Sequence, residues 1–315
     1  MIEEHFRIPS PREGLSLFLR HLPPAPPVSG APKVVLYVHG ATFPSALSIG
    51  HRFDGRSWAD DLAEAGFHVW GLDFLGFGNS DRYPEMAEPA GDHSPLGRAD
   101  IASQQIGHAM RFICERHGIG RVSIIAHSWG TMAAGLFASQ RPERVERLVL
   151  FGPVTWRARR SDPPKIPAWR DLSLQQQWDR FIEDVPPGVP QPLARKDFDE
   201  WGSIYLDSDA DSRSRSPAGV RVPNGPMQDI AAAWSGELAY DPRLIRAPVA
   251  ILRGEWDSVV NDADARWLFL SLEASPIKRD VKLSRGTHLM HLESGRFELH
   301  REARCFLEEK DTYNR

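Results

Sequence analysis

A chain of 315 residues that is 41% hydrophobic and 25% charged can bury one large core, or a core and a subdomain. A net charge of −4, with 38 basic side chains spread along the chain, excludes the clustered positive surface that a nucleic-acid binder needs. Two cysteines cannot make a disulfide framework, and no run approaches the roughly 20 apolar residues of a membrane span.

The opening Met1-Ile2-Glu3-Glu4-His5 is acidic where a secretion signal is basic, and no apolar run follows, so a cytoplasmic protein is expected. Residues 15–22 alternate weakly and run into Pro23-Pro24-Ala25-Pro26-Pro27, which is neither helix nor inner strand. Lys33 to Val38 is a continuous β-branched and apolar run, as in a strand buried on both faces, and His39-Gly40 ends it. Residues 58–65 read as helix, 67–73 as strand and 100–117 as helix. Strand 121–126, the small-residue helix 131–140 and strand 145–151 follow. Cys114 and Cys305 fall in helical segments and are expected to be plain buried thiols. Strands separated by helix-length segments predict a parallel sheet with crossover helices.

After Gly152-Pro153 the regularity breaks. Between Thr155 and Gly236 there is no clean strand, and five of the ten tryptophans lie here: Trp156, Trp169, Trp178, Trp201 and Trp234. The segment is too apolar for a disordered linker, and a helical cap over 154–236 is expected, least ordered over 212–226. Strand 248–252, helix 262–272, a short strand 281–283 and a helix over 295–309 complete the chain. The core thus comprises 1–153 and 237–315.

The chemistry is concentrated at Ala126-His127-Ser128-Trp129-Gly130, a strand, a serine, then a helix of small residues. A serine on a sharp strand-to-helix turn presents its hydroxyl at the helix N-terminus, where free N–H groups can stabilise an oxyanion. Gly130 supplies the small residue that the turn needs; Ala126 stands where glycine is usual. A serine hydroxyl is a weak nucleophile and requires a base held by an acid. Asp257 follows the strand 248–252 closely, and His288 lies in the loop after the last strand, so both reach the edge that carries Ser128. Glu255 is a rival acid, disfavoured by its place relative to the strand's end. His291, three residues past His288, reads as packed, and His127 as pointing away from the nucleophile. No acid or cysteine cluster has ligand spacing, so no metal is expected. The two N–H groups of an oxyanion hole are assigned to Trp129 and Ala41.

With those residues in place, the chain resembles the α/β-hydrolase superfamily over nearly all its length. The matching segments are Val38-His39-Gly40-Ala41, Gly71 to Ser80, Ala126 to Gly130, Gly254 to Asp257 and Gly286-Thr287-His288, in that order. The resemblance implies an α/β fold with a mostly parallel eight-stranded sheet, a helical cap inserted after the sixth strand, and hydrolysis without a cofactor. Epoxide hydrolases and haloalkane dehalogenases use an aspartate nucleophile, which Ser128 does not match. Cofactor-free haloperoxidases lack a large cap. Proline iminopeptidases carry His-Gly-Gly-Pro-Gly where this chain has His39-Gly40-Ala41-Thr42-Phe43, and carbon–carbon bond hydrolases differ in elbow and His-Gly loop. Carboxylesterases fit with fewest contradictions. An amide hydrolase would need a cap acid for a free amine, for which Glu183, Asp184, Glu200 and Asp207 are candidates. A non-catalytic binder of the same fold is a further alternative.

The expected partner is a small molecule, contacted by Thr42, Phe43, Met290 and Trp156. Aromatic residues of the cap and the catalytic edge suggest an apolar or aromatic group on it, although the tryptophans would equally serve to anchor the cap. Arg157, Arg159, Arg160 and Lys165 could attract an anion but read more simply as a solvated face.

Overall fold

The computed structural model describes residues 2–25, 30–158 and 165–309. Part of the proline-rich turn (26–29) and the basic residues Arg159 and Arg160 lie outside them. The chain begins with β1 (Glu4–Pro9) and β2 (Ser16–Leu22), then β3 (Lys33–Val38), α1 (Trp58–Glu64) and β4 (Phe67–Asp73). It continues through α2 (Ala99–His117), β5 (Val122–His127), α3 (Gly130–Gln140) and β6 (Val145–Phe151). Next come β7 (Trp169–Ser173), α4 (Leu174–Ile182), α5 (Arg195–Asp207), β8 (Gly219–Pro223) and α6 (Gly225–Ala233). The last elements are β9 (Val249–Gly254), α7 (Asp262–Ser271), β10 (Lys278–Leu283) and α8 (Arg296–Glu308).

Eight strands form one sheet in the order β1-β2-β4-β3-β5-β6-β9-β10. The pairs from β4 to β10 are parallel, whereas β2 runs antiparallel to both β1 and β4. The apolar runs of the inner strands are explained by two cores, one on each face. Val34, Leu36 and Val38 of β3 enter the larger core and Val35 and Tyr37 the smaller, as the two-residue period of a strand requires. Strand β9 divides likewise, Val249 and Ile251 to one face, Ala250 and Leu252 to the other. Helix α1 starts on a capping box between Ser57 and Asp60, and α7 on one between Asn261 and Asp264.

Among its described residues the insertion after β6 holds three α-helices, and it also holds a two-stranded antiparallel ribbon, β7 with β8, that the sequence reading does not anticipate. Both strands are short, β7 is only half-buried, and their partners are distant in sequence, so neither shows a strand pattern. The ribbon also corrects the expectation of loose chain over 212–226, where β8 and the start of α6 lie. Trp201 anchors the insertion, donating from Nε1 to the Leu47 carbonyl at 3.0 Å and packing on Phe43, Phe181 and Tyr205. The two thiols are unbridged; Cys114 is buried as expected, but Cys305 is exposed on the outer side of α8. Among the described residues no helix is long and apolar enough to cross a membrane.

Candidate active site

The carboxyl ends of β3, β5, β6 and β9 share one edge of the sheet, and there the backbone is forced into unusual shapes. Ser128 follows β5 directly with a φ of 56°, a left-handed conformation that costs a residue with a side chain roughly 1–3 kcal/mol. It is held by its own N–H donating to the Phe151 carbonyl at 2.9 Å, and by Thr131 Oγ1 donating to the Ser128 carbonyl at 2.6 Å. The helix that follows lies so close to β3 that a Cβ at Gly130 would stand 2.4 Å from the His39 carbonyl oxygen. Only glycine fits there. At the other small-residue position no such approach exists: the Ala126 methyl is fully buried in the larger core, which is why alanine is accepted.

Three side chains converge on this turn. His288 Nε2 is 2.8 Å from Ser128 Oγ, and His288 Nδ1 is 3.0 Å from both carboxylate oxygens of Asp257. Asp257 Oδ1 also accepts from the Val259 N–H at 2.9 Å and, more weakly, from Val260 at 3.4 Å. These bonds hold the carboxylate so that Nδ1–H points to it and Nε2 is free to accept from the serine. Ser128, Asp257 and His288 are all buried. The rival acid Glu255 faces solvent and accepts from the Arg285 N–H at 3.0 Å, away from the histidine.

Two N–H groups are available beside the serine. Neither that of Ala41 nor that of Trp129 donates to another described residue. The loop bearing Ala41 is stiffened by His39, whose Nε2 accepts from the Phe74 N–H at 3.1 Å while Nδ1 donates to the Gly40 carbonyl at 2.7 Å. Asp73, fully buried, accepts from Ser45 N–H and Oγ at 2.9 and 2.5 Å. The Trp129 ring is turned into the protein, its Nε1 donating to Asp229 Oδ2 at 3.0 Å. The same carboxylate takes the Ala99 N–H at 2.6 Å and Arg98 Nε at 2.8 Å, and burial holds its pKa above the usual range. Replacing Asp229 by alanine leaves the buried indole N–H unpaired; we expect a loss of about 2 kcal/mol in urea unfolding, with lowered turnover.

A cavity of about 370 Å³ opens on Ser128 and His288. Thr42 and Phe43 line it, and so does His127, contrary to the expectation that it points away. Its ring lies 5.0 Å from that of His288, and its Nε2 meets the His288 carbonyl at 3.0 Å. Two expectations fail. Met290 is buried in the smaller core against Gly286, and Leu289 lines the cavity instead, because a short helical turn over Met290–Leu292 rotates the methionine inward. Trp156 stacks on Trp267 at 5.7 Å and donates to the Gly236 carbonyl, so Trp234 is the tryptophan at the cavity. Arg157 is bound to Asp264 at 2.6 Å and covers Trp234, so it is held against the protein and only partly exposed. Of the candidate acids, Glu183 alone lines the cavity, in an ion pair with Arg180. Asp184 accepts weakly from the Ser258 N–H, and Glu200 and Asp207 pair with Lys196 and Arg213 at the surface. The insertion adds contacts that the sequence reading misses: Arg170, Leu172, Met227 and Ile230. The alternation of Arg170 and Leu172 is the one trace of the first pair in the sequence.

His291 is packed, as expected, between Phe43, His127 and Phe151. Elsewhere, His21, His68 and His117 bring ring nitrogens within 4.8 Å of one another, a grouping able to hold a metal. It lies by the amino end of β4, on the opposite edge from Ser128. Each ring also has a protein partner: His21 meets His68 at 3.0 Å and Glu4 at 2.9 Å, and Trp70 Nε1 donates to His117.

Glu293 supports the histidine loop, accepting from both Oγ1 and N–H of Thr287, and burial pushes its pKa up to about 7 from 4.5. The native state therefore keeps a proton that the unfolded chain has released, so its contribution is full below about 4.5 and lost as pH rises through 7. Glu293→Gln is expected to gain about 2 kcal/mol over the wild type at pH 8 and little at pH 4.5, read from paired urea titrations.

The model of the alpha/beta hydrolase fold family matches residues 33–294. A haloalkane dehalogenase of Mycolicibacterium paratuberculosis (strain ATCC BAA-968 / K-10) is 30% identical over 144 residues, 46% of this chain and 41% of that protein. The chain spans less than half the length of the curated relatives it matches. Among solved structures, a laboratory-evolved potato epoxide hydrolase superposes with a TM-score of 0.63 at 16% identity, covering 98% of this chain and 99% of that one. A serine hydrolase from the polyaromatic-hydrocarbon-degrading bacterium Cycloclasticus zankles gives 0.60 at 15% identity, covering 97% and 98%. At such identities these structures speak for the fold alone. On the match to the family model and the sheet described above, the chain belongs to the alpha/beta hydrolase fold family.

Proposed function

We propose that this chain is a serine hydrolase that cleaves a carboxylic ester through an acyl-enzyme. The observation that carries the reading is the chain of contacts from Asp257 through His288 to Ser128 Oγ, the last at 2.8 Å, opening on the cavity of about 370 Å³. His288 Nε2 takes the hydroxyl proton as Ser128 Oγ attacks the ester carbonyl. The carbonyl oxygen, now negative, is met by the N–H groups of Ala41 and Trp129. His288 returns the proton to the leaving alcohol, and the C–O bond breaks. Water then gives a proton to His288 while attacking the acyl carbon; the acid leaves, and Ser128 recovers its proton.

The insertion acts in this reading as a lid, and the cavity's apolar wall of Phe43, Leu172, Ile230 and Trp234 suits an apolar or aromatic group. Relatives named dehalogenase and epoxide hydrolase also break bonds with water, but the residue at the elbow here is a serine. A cytoplasmic setting fits the two unbridged cysteines. Glu183 at the cavity supports a second reading, an amide hydrolase that accepts a free amine. Faster turnover of aminoacyl amides than of esters would favour it.

The test is labelling by a fluorophosphonate probe in wild type and Ser128→Ala, with an ester panel beside it. Labelling confined to the wild type, with ester turnover, supports the proposal. Equal labelling of both, or none, overturns it.

A further inference from the structure

One wall of the cavity is chemically unlike the rest. Arg170 lies on β7, paired opposite Val222, and Leu172 two residues on faces the same way, so the ribbon turns both side chains into the cavity. Arg170 is partly buried, and desolvation lowers its pKa; among the described residues its one hydrogen bond is Nη1 donating to Asn224 Oδ1 at 2.6 Å. It has no carboxylate partner among the described residues. That is unusual here: Arg157, Arg215, Arg221 and Arg253, all partly or wholly buried, each hold an aspartate. A buried charge without a counter-ion is costly and is kept where something else supplies the opposite charge.

A second group faces the same space. Gln177 of α4 lines the cavity and is 2% exposed; its side chain lies beside the Tyr205 hydroxyl, and Nε2 makes no well-formed hydrogen bond among the described residues. A buried amide donor left unpaired is costly, and a ligand oxygen would relieve that cost. Arg180, also at the cavity, shares its charge with Glu183, so those two nearly cancel and Arg170 leaves the wall positive. The apolar surface of Leu172, Met227 and Trp234 lies in the same cavity.

We propose that Arg170, assisted by Gln177, binds a carboxylate on the substrate, so that the preferred substrate is an ester carrying a second, free carboxylate at the far end of an apolar segment. This rests on the ester-hydrolase reading and narrows it. Guanidinium and carboxylate match in planar, two-point geometry, and the exclusion of water strengthens the pair. Neutral esters fit the same cavity but leave the arginine without its partner. A volume of about 370 Å³ limits the substrate to a small molecule.

The experiment measures kcat/KM on matched pairs: monomethyl adipate against methyl hexanoate, and 4-acetoxybenzoate against its methyl ester. These place the carboxylate on the acyl side and on the alcohol side in turn. We expect at least one acid to exceed its neutral partner by about tenfold or more, as one desolvated charge-assisted pair would give. Arg170→Gln should erase that ratio, and Arg170→Lys should restore part of it. An unchanged melting temperature and unchanged fluorophosphonate labelling of Ser128 show that Arg170→Gln is folded. Neutral esters preferred in both pairs, or a ratio unchanged in Arg170→Gln, would overturn the proposal while leaving the hydrolase reading intact. Should no ester turn over, that reading falls instead. Binding of monomethyl adipate over methyl hexanoate, measured by calorimetry and lost in Arg170→Gln, then decides the site by itself; no such difference ends it.

Discussion

On the proposed mechanism, turnover of an ester substrate is expected to fall by about 10⁴-fold or more when His288 is replaced by alanine, with the melting temperature nearly unchanged. The size of the effect follows from geometry. Among the described residues Ser128 Oγ has one proton acceptor in reach, His288 Nε2 at 2.8 Å, and without it the hydroxyl must attack with its proton in place. Asp257→Asn separates orientation from presence: the shape is kept, but the amide can present N–H to Nδ1 and turn the ring to the tautomer whose Nε2 carries the proton. A loss of similar size is expected there. Since these side chains act as one unit, Ser128→Ala with His288→Ala should be little worse than either alone. Steady-state kinetics on a single chromogenic ester checks all four variants. A double mutant whose loss is the product of the single losses would mean that the residues act separately.

The second large effect concerns the fold. A Cβ at Gly254 would stand 2.1 Å from the Gly286 carbonyl oxygen and 2.8 Å from that of Thr287, and both belong to the backbone that carries His288. Neither atom is the end of a flexible side chain, so one of the two segments must move. That loop is already pinned: Trp256 N–H donates to the same Gly286 carbonyl at 2.9 Å. Gly254→Ala is expected to cost about 3 kcal/mol or more in urea unfolding, and to lower turnover even where the protein folds. Gly91→Ala serves as control, since nothing lies within 4 Å of the added carbon and its φ is ordinary. Equal stability of the two variants would contradict the packing described for the β9 edge.

Much of this arrangement is legible before any coordinates. The inner strands read as unbroken apolar runs because both faces of the sheet are covered, and Ser128, Asp257 and His288 each follow a strand by only a few residues. What the sequence hides is which way a side chain turns once a strand has ended. Met290 and Leu289 are equally apolar neighbours, and only the short helical turn decides that the leucine meets the cavity. Trp156 and Trp234 are both tryptophans of the insertion, and Trp156 is claimed by Trp267 of α7. Strand β7, Trp-Arg-Asp-Leu-Ser, is half-buried throughout and polar in alternation, so it reads as surface until β8 pairs with it. Arg170 is hidden for the same reason, since an arginine in a polar stretch gives no sign of being indoors.

The two kinds of residue at this cavity have different addresses. Those proposed to break the bond hang from the sheet and its loops, whereas Arg170, Leu172, Met227, Ile230 and Trp234 come from the segment between β6 and β9. One stretch of chain, 165–236, thus carries much of what would meet the incoming molecule, and its ribbon is paired only with itself. Substitutions there can retune which molecules are admitted without disturbing the reacting groups. Descendants of this chain could diverge in diet while inheriting the same chemistry intact.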